Sequence, residues 1–253
     1  MSTTMNSCPD DSMVSCVINA DDLGISHEVN EKIFQLMDQG HLRSSTLIMN
    51  GVAVEAAVAK IPNYPHCSFG IHLNITYGRP LTGSSALEPI LDDHGYFTEG
   101  FSRDRLTEPV QQAVFDEWSA QVDAARAMGV VVSHLDSHHH VHRIPALFPW
   151  LSRLQRHHGI HRLRGSWTVF PEVGAGYPFG HPQAFQETRT TQAFTALHTF
   201  MHHFGNNHVR PAQRIWELMT HPGAPNDGDT ALLQGTWKER LCFPVEILSF
   251  HEL

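Results

Sequence analysis

Apolar and polar positions along this chain switch repeatedly between a strand-like run and a helical period. An apolar run from Val14 leads into Asn19-Ala20-Asp21-Asp22-Leu23-Gly24, and Ser26 then opens a segment whose Val29, Ile33, Phe34, Leu36 and Met37 recur at helical spacing. The run predicts a buried strand over 14–20. The segment predicts a helix capped by Ser26 and ended at Gly40. A second strand is expected over 44–49, followed by an alanine-rich helix that stops near Ile61-Pro62, because the residue before proline is pushed out of helical geometry. Residues 67–73 read as a third strand.

Residues 76–104 are polar, contain Gly and Pro, and exceed an ordinary connection, so an active-site loop or lid is expected there. From Thr107 or Glu108 a helix follows, with Val110, Val114, Trp118, Val122 and Ala125 on one side and Gly129 at its end. A strand over 130–135, a helix over 145–158 despite Pro145 and Pro149, and a short segment 160–164 come next. Further on, the pattern predicts a helix around 191–202, a strand over 215–220, and a mostly helical end over 237–253 disturbed by Pro244. Trp118 and Phe194 are expected in the core. Strand and helix alternate, which implies parallel strands with covering helices, in an open sheet or a barrel. Residues 1–13 read as a loose tail and 14–253 as one domain.

In both architectures ligands bind beyond the carboxyl ends of the strands. Every polar cluster falls there: Asp21-Asp22, Gly70-Ile71-His72-Leu73-Asn74, the run His134 to His142, and His221-Pro222-Gly223. Adjacent carboxylates repel unless a cation or proton compensates them. Asp and His at dispersed strand ends suit a metal; the bland alternative is a capped turn plus surface histidines. Extended geometry would put 134, 136 and 138 on one face, and helical geometry would still join 134 to 138. Spacing therefore leaves open which histidines coordinate. Asp22, His72 and His138, with positions left for water and substrate, would make a catalytic metal pattern. No glycine-rich nucleotide fingerprint follows the first strand.

Composition narrows the partners. Across 253 residues the formal charge is -9 and no basic cluster occurs, which argues against nucleic acid. Twenty histidines predict a change in charge-dependent behaviour near pH 6. Cys8, Cys16, Cys67 and Cys242 show no CxxC spacing, which suggests a reduced cytoplasmic setting; no signal-like segment or membrane-length apolar run occurs.

These motifs resemble the YdjC-like carbohydrate deacetylases, and among them the chitooligosaccharide (chitin disaccharide) deacetylases. The resemblance rests on Asn19 to Gly24, Thr46-Leu47-Ile48-Met49-Asn50-Gly51, Gly70 to Asn74 with Gly78-Arg79-Pro80-Leu81, Ser133 to His142, and His221-Pro222-Gly223. It implies an α/β fold, an irregular (β/α) barrel of the glycoside hydrolase/deacetylase type. It also implies hydrolysis of the N-acetyl group of N-acetylglucosamine-containing saccharides such as diacetylchitobiose, with one divalent metal ion, Mg2+ or Zn2+. The implied ligands are Asp22, His72 and His138, the implied general base is Asp21, and relatives include homodimers.

The chemistry then suggests His221 as the acid for the leaving amine. Asp136 is expected to orient an imidazole. His134 would be a supporting residue or an alternative ligand. Arg164 would anchor substrate or a carboxylate, or form a surface ion pair. Trp167, Phe170 and Tyr177 could stack on a sugar or simply pack a loop. The competing functions are deacetylation of another amide or a lipid-linked amino sugar, and non-catalytic metal or sugar binding.

Overall fold

The computed structural model describes residues 12–165, 185 and 187–253. Seven parallel strands form one sheet in the order β4-β3-β2-β1-β6-β5, with β7 also pairing β1. They are β1 (Val14–Leu23), β2 (Ser44–Leu47), β3 (Ser68–Leu73), β4 (Val132–Ser137), β5 (Ala193–Ala196), β6 (Ile215–Thr220) and β7 (Val245–Leu248). Among the described residues six α-helices cover it: α1 (His27–Asp38), α2 (Val54–Lys60), α3 (Glu108–Ala127), α4 (Phe148–His158), α5 (Leu197–Phe204) and α6 (Asp229–Gln234). Past β4, Arg162 and Arg164 continue the pairing: Leu135 N donates to Arg162 O and Arg164 N to Leu135 O, at 3.0 and 2.9 Å. The sheet thus curls into an open half-barrel, consistent with the irregular (β/α) barrel expected.

Ser26 caps α1 by accepting from Val29 N at 3.2 Å, and Val29, Ile33, Phe34, Leu36 and Met37 are buried, as their spacing requires. Trp118 and Phe194 are core residues. Three expectations change. First, β1 runs past Ala20 to Leu23. Ala20 pairs Ser45 and Leu23 pairs Leu47, so β1 carries one extra residue across this interval, a bulge that holds both aspartates. Second, residues 193–196 are strand rather than helix. Helical spacing and a short buried apolar run look alike over four residues, and pairing with β6 decides between them. Third, the chain's end is not mostly helical: Val245–Leu248 docks as β7 beside Val14–Leu23, favoured by Val and Ile after Pro244.

The stretch 76–104 is packed rather than loose. Buried Glu117 on α3 accepts from Leu81 N, Thr82 N and Thr82 Oγ1 at 3.0, 2.8 and 2.8 Å, and Leu87, Ile90 and Phe97 enter the core. The expected tail lies almost wholly outside the described residues, as do Trp167, Phe170 and Tyr177. Among the described residues no helix is long and apolar enough to cross a membrane.

The sheet's inner face is polar and layered. At its lower end Phe250 stacks on the His134 ring with centroids 3.7 Å apart. His134 lies directly against the backbone of Gly70, where a Cβ would stand 2.7 Å from the imidazole. Above that ring Asn19 accepts from Ser44 Oγ at 2.6 Å and donates to Asp21 Oδ1 and Thr46 Oγ1 at 2.9 and 3.1 Å. Gly70→Ala should lower unfolding stability by roughly 2 kcal/mol through overpacking of His134. Chemical denaturation of the two proteins measures this, and equal midpoints would refute the packing described.

Candidate metal centre and active site

The bulge in β1 is what lets two adjacent aspartates serve one cavity. In a regular strand Asp21 and Asp22 would face opposite sides of the sheet. Here Asp22 takes the left-handed conformation, φ 66°, which Asp tolerates better than most residues. Its Oδ1 lies 3.3 Å from His72 Nε2 and 3.0 Å from His138 Nδ1. His72 arrives from β3. His138 follows β4 in a turn where His139 and His140 are also left-handed, at φ 50° and 54°. The donor atoms of Asp22, His72 and His138 all lie within 4.8 Å of one another.

These residues fit a cation. Asp22 Oδ1 is buried and makes no hydrogen bond among the described residues, although two imidazole nitrogens face it. Such an oxygen is costly unless something positive meets it. One carboxylate and two imidazoles form a donor set suited to a divalent metal, and the imidazoles favour zinc or another transition ion over magnesium. Asp136 prepares the site from below: its Oδ1 sits 2.7 Å from His72 Nδ1, so that nitrogen carries the proton and Nε2 is left with its lone pair toward Asp22. Thr46 Oγ1 donates to the other Asp136 oxygen at 3.0 Å.

Arg164 is the residue whose surroundings differ most from a sequence reading. It is not a surface ion pair: the side chain is 2% exposed and meets three carboxylates. Its Nη1 and Nη2 donate to Asp21 Oδ2 and Oδ1 at 2.7 and 2.6 Å, Nη1 also lies 2.9 Å from Asp136 Oδ2, and Nε donates to Glu217 Oε1 at 2.6 Å. Burial would raise Asp21, and the Arg164 guanidinium overrides it, keeping that carboxyl far below its ordinary value. Glu217 behaves oppositely: burial pushes it up to about 7 against the pull of Arg164. Glu217 was not singled out by sequence. The signal available was its position four residues before His221 on a strand delivering that histidine.

His221 stands beyond β6, on the other side of β1 from the metal residues, with Nε2 3.9 Å from Asp21 Oδ2 and the side chain 39% exposed. His134 does not join the metal-facing group. It lies deeper, Nδ1 beside Ser133 Oγ at 2.8 Å and Nε2 beside Asn19 Oδ1 at 3.3 Å, and touches the site only through Asn19. Burial holds His134 and His142 well below the ordinary imidazole range and brings His140 down to about 3, so these histidines stay neutral. The change expected near pH 6 therefore cannot involve all twenty histidines. Tyr77 adds an aromatic rim, its ring 6.0 Å from that of His138.

A curled parallel sheet with an Asp-His-His group at the carboxyl ends of its strands defines a (β/α) half-barrel built to hold a metal. The chain matches the YdjC-like protein family over residues 15–241 and belongs to that family. A carbohydrate deacetylase of Brevibacillus brevis is 31% identical over 251 residues, covering 94% of this chain and 92% of the relative. Carbohydrate deacetylases of Vibrio cholerae and Oceanobacillus iheyensis are 39% and 37% identical, but the matches span only 53% and 49% of this chain and 52% and 54% of theirs. The fold is shared with a crystal structure from Enterococcus faecalis described as a cellobiose-phosphate cleavage protein. Its TM-score is 0.73 at 19% identity, covering 95% of this chain and 99% of that one.

Asp22→Ala or His138→Ala should lower Zn2+ affinity by at least about 100-fold, because each removes a donor from the only three-residue set among the described residues that includes His138. Calorimetric titration of the metal-stripped proteins measures this, and undiminished affinity in both variants would place the metal elsewhere.

Proposed function

We propose that this chain is a metal-dependent deacetylase that hydrolyses the N-acetyl group of small N-acetylglucosamine-containing saccharides, with diacetylchitobiose as the representative substrate. The observation that carries the reading is Asp21 beside the Asp22, His72 and His138 group, with His221 on its opposite flank. This chain belongs to the YdjC-like family, and relatives similar to it are carbohydrate deacetylases, one of them matched across nearly its whole length.

A bound divalent cation would polarise the amide carbonyl and make a water more acidic. Asp22, His72 and His138 would hold it, while Asp136 fixes the ring of His72. Asp21 acts as proton acceptor. Arg164 keeps it ionised, and its Oδ2 receives one donor from Arg164, leaving a lone pair on the side of His221. As water adds to the carbonyl carbon, its proton passes to Asp21. The C–N bond then breaks, and His221 gives the amine nitrogen its proton, leaving acetate and an amino sugar. The hydrophobic rim of Tyr77 offers a face on which a sugar ring can rest.

Acetate release from diacetylchitobiose tests this directly. Metal-stripped protein should be inactive and regain activity with Zn2+ or Mg2+ added separately. Asp21→Asn should lower kcat by about 100- to 10,000-fold while metal stoichiometry stays at the wild-type value. Confirmed metal uptake without acetate from any N-acetylated saccharide would leave a metal-binding protein of other function. Unchanged kcat in Asp21→Asn would remove Asp21 from the reaction.

A further inference from the structure

The polar interior holds a carboxylate that the proposed reaction does not use. Glu217 is 0% exposed on β6, in register with Val17 of β1, and its Oε1 takes the Nε–H of Arg164 at 2.6 Å. Its other oxygen, Oε2, has no hydrogen-bond partner among the described residues. A buried carboxylate with one oxygen unpartnered costs stability, and well-packed apolar residues often stabilise such a site better. A residue retained at that cost calls for a role other than holding the fold together.

Geometry supplies one. The Arg164 side chain is a flexible stem ending in a planar fork. Its guanidinium carbon sits over the face of Phe194, 5.0 Å from the ring centroid. A contact with an apolar ring does not fix the direction in which the fork points. Glu217 grips the Nε edge, and the opposite Nη edge is then presented to Asp21, both of whose oxygens it meets. Asp136 touches only Nη1. With Nε released, the fork could swing toward Asp136 and leave Asp21 singly held.

We propose that Glu217 is a positioning residue for Asp21, acting through Arg164. This rests on Asp21 being the proton acceptor. The contact is a matter of direction more than charge, so an amide oxygen in the same place should serve nearly as well.

The test compares Glu217→Met, which keeps the length and removes the acceptor, with Glu217→Gln, which keeps an acceptor oxygen. Crystal structures, metal content and acetate-release kinetics are measured on each full-length, metal-loaded protein. In Glu217→Met the paired Arg164–Asp21 contact should be lost, with kcat lower on the order of 100-fold and KM and metal content unchanged. Glu217→Gln should restore the paired contact and bring kcat back to within about fivefold of wild type. A merely structural role would lower the melting temperature of Glu217→Met and leave kcat and the fork in place, which would overturn the proposal. If Glu217→Met does not fold, Glu217→Gln decides alone: an intact fork with kcat down by about 100-fold would refute positioning by direction. Should wild type release no acetate, the functional reading fails, while the fork in the crystal structures still decides whether Glu217 orients Arg164.

Discussion

One buried guanidinium ties the site together. Arg164 enters the half-barrel from the strand-like segment past β4 and meets Asp21 from β1, Asp136 from the end of β4 and Glu217 from β6. β1 and β6 are neighbours, but β4 lies three strands from β1, so the contact spans the inner face of the curled sheet. Removing the cation would strand three carboxylates away from water, a loss of several kcal/mol by the usual measure of broken buried pairs. The cluster as a whole is a poor way to gain stability. Its use is to set positions: Asp21 is held beside the metal-facing group, and Asp136 is left aimed at His72.

The backbone makes matching concessions. Asp22, His139 and His140 all have positive φ, a conformation that non-glycine residues adopt at a cost of order 1 kcal/mol each. All three flank or form the metal-facing group, and no similar cluster of left-handed residues occurs elsewhere in the inner face among the described residues. The bulge at Asp21-Asp22 is the most consequential of these features. Without it, one aspartate would point into the layer of covering helices, and the pair could not act together. Lower down, Gly70 gives up a side chain so that His134 can fill the space beneath Asn19. The polar stack from Phe250 upward thus supports Asp21 through hydrogen bonds rather than through apolar packing.

Local pattern disclosed much of this. The helical period of Val29 to Met37, the apolar runs before Asp21 and His72, and the placement of polar clusters at strand ends all follow from single-residue preferences acting over short range, and the structure places them accordingly. What local pattern could not disclose depends on distant partners. Residues 193–196 become strand only because β6 lies alongside, and residues 245–248 only because the first turns of β1 offer a free edge. Arg164 reads as an ordinary charged residue until the chain folds 143 positions back onto Asp21. His134 and Asp136 share an alternation, yet a register shift between β3 and β4 accompanies their separation into different layers. Charge clusters and bulges are set by tertiary closure, and no window of sequence contains them.

The strongest physical tension in the site concerns Asp21 itself. In its proposed role as proton acceptor it must be ionised, which Arg164 favours, but a carboxylate held by three N–H groups, two from Arg164 and one from Asn19, is a weak base. The arrangement eases the conflict in two ways. The guanidinium charge is shared with Asp136 and Glu217, so its field on Asp21 is diluted. Oδ2 also retains capacity beyond the one bond it accepts from Arg164, on the side of His221. A proton taken up there would be held only weakly, on the flank where the leaving nitrogen needs one. Low basicity then hinders the first transfer and favours the second, and a cation at Asp22 that acidifies the attacking water shifts the balance of the first back toward reaction. In the proposed reaction the acid-base pair and the metal group therefore depend on one another.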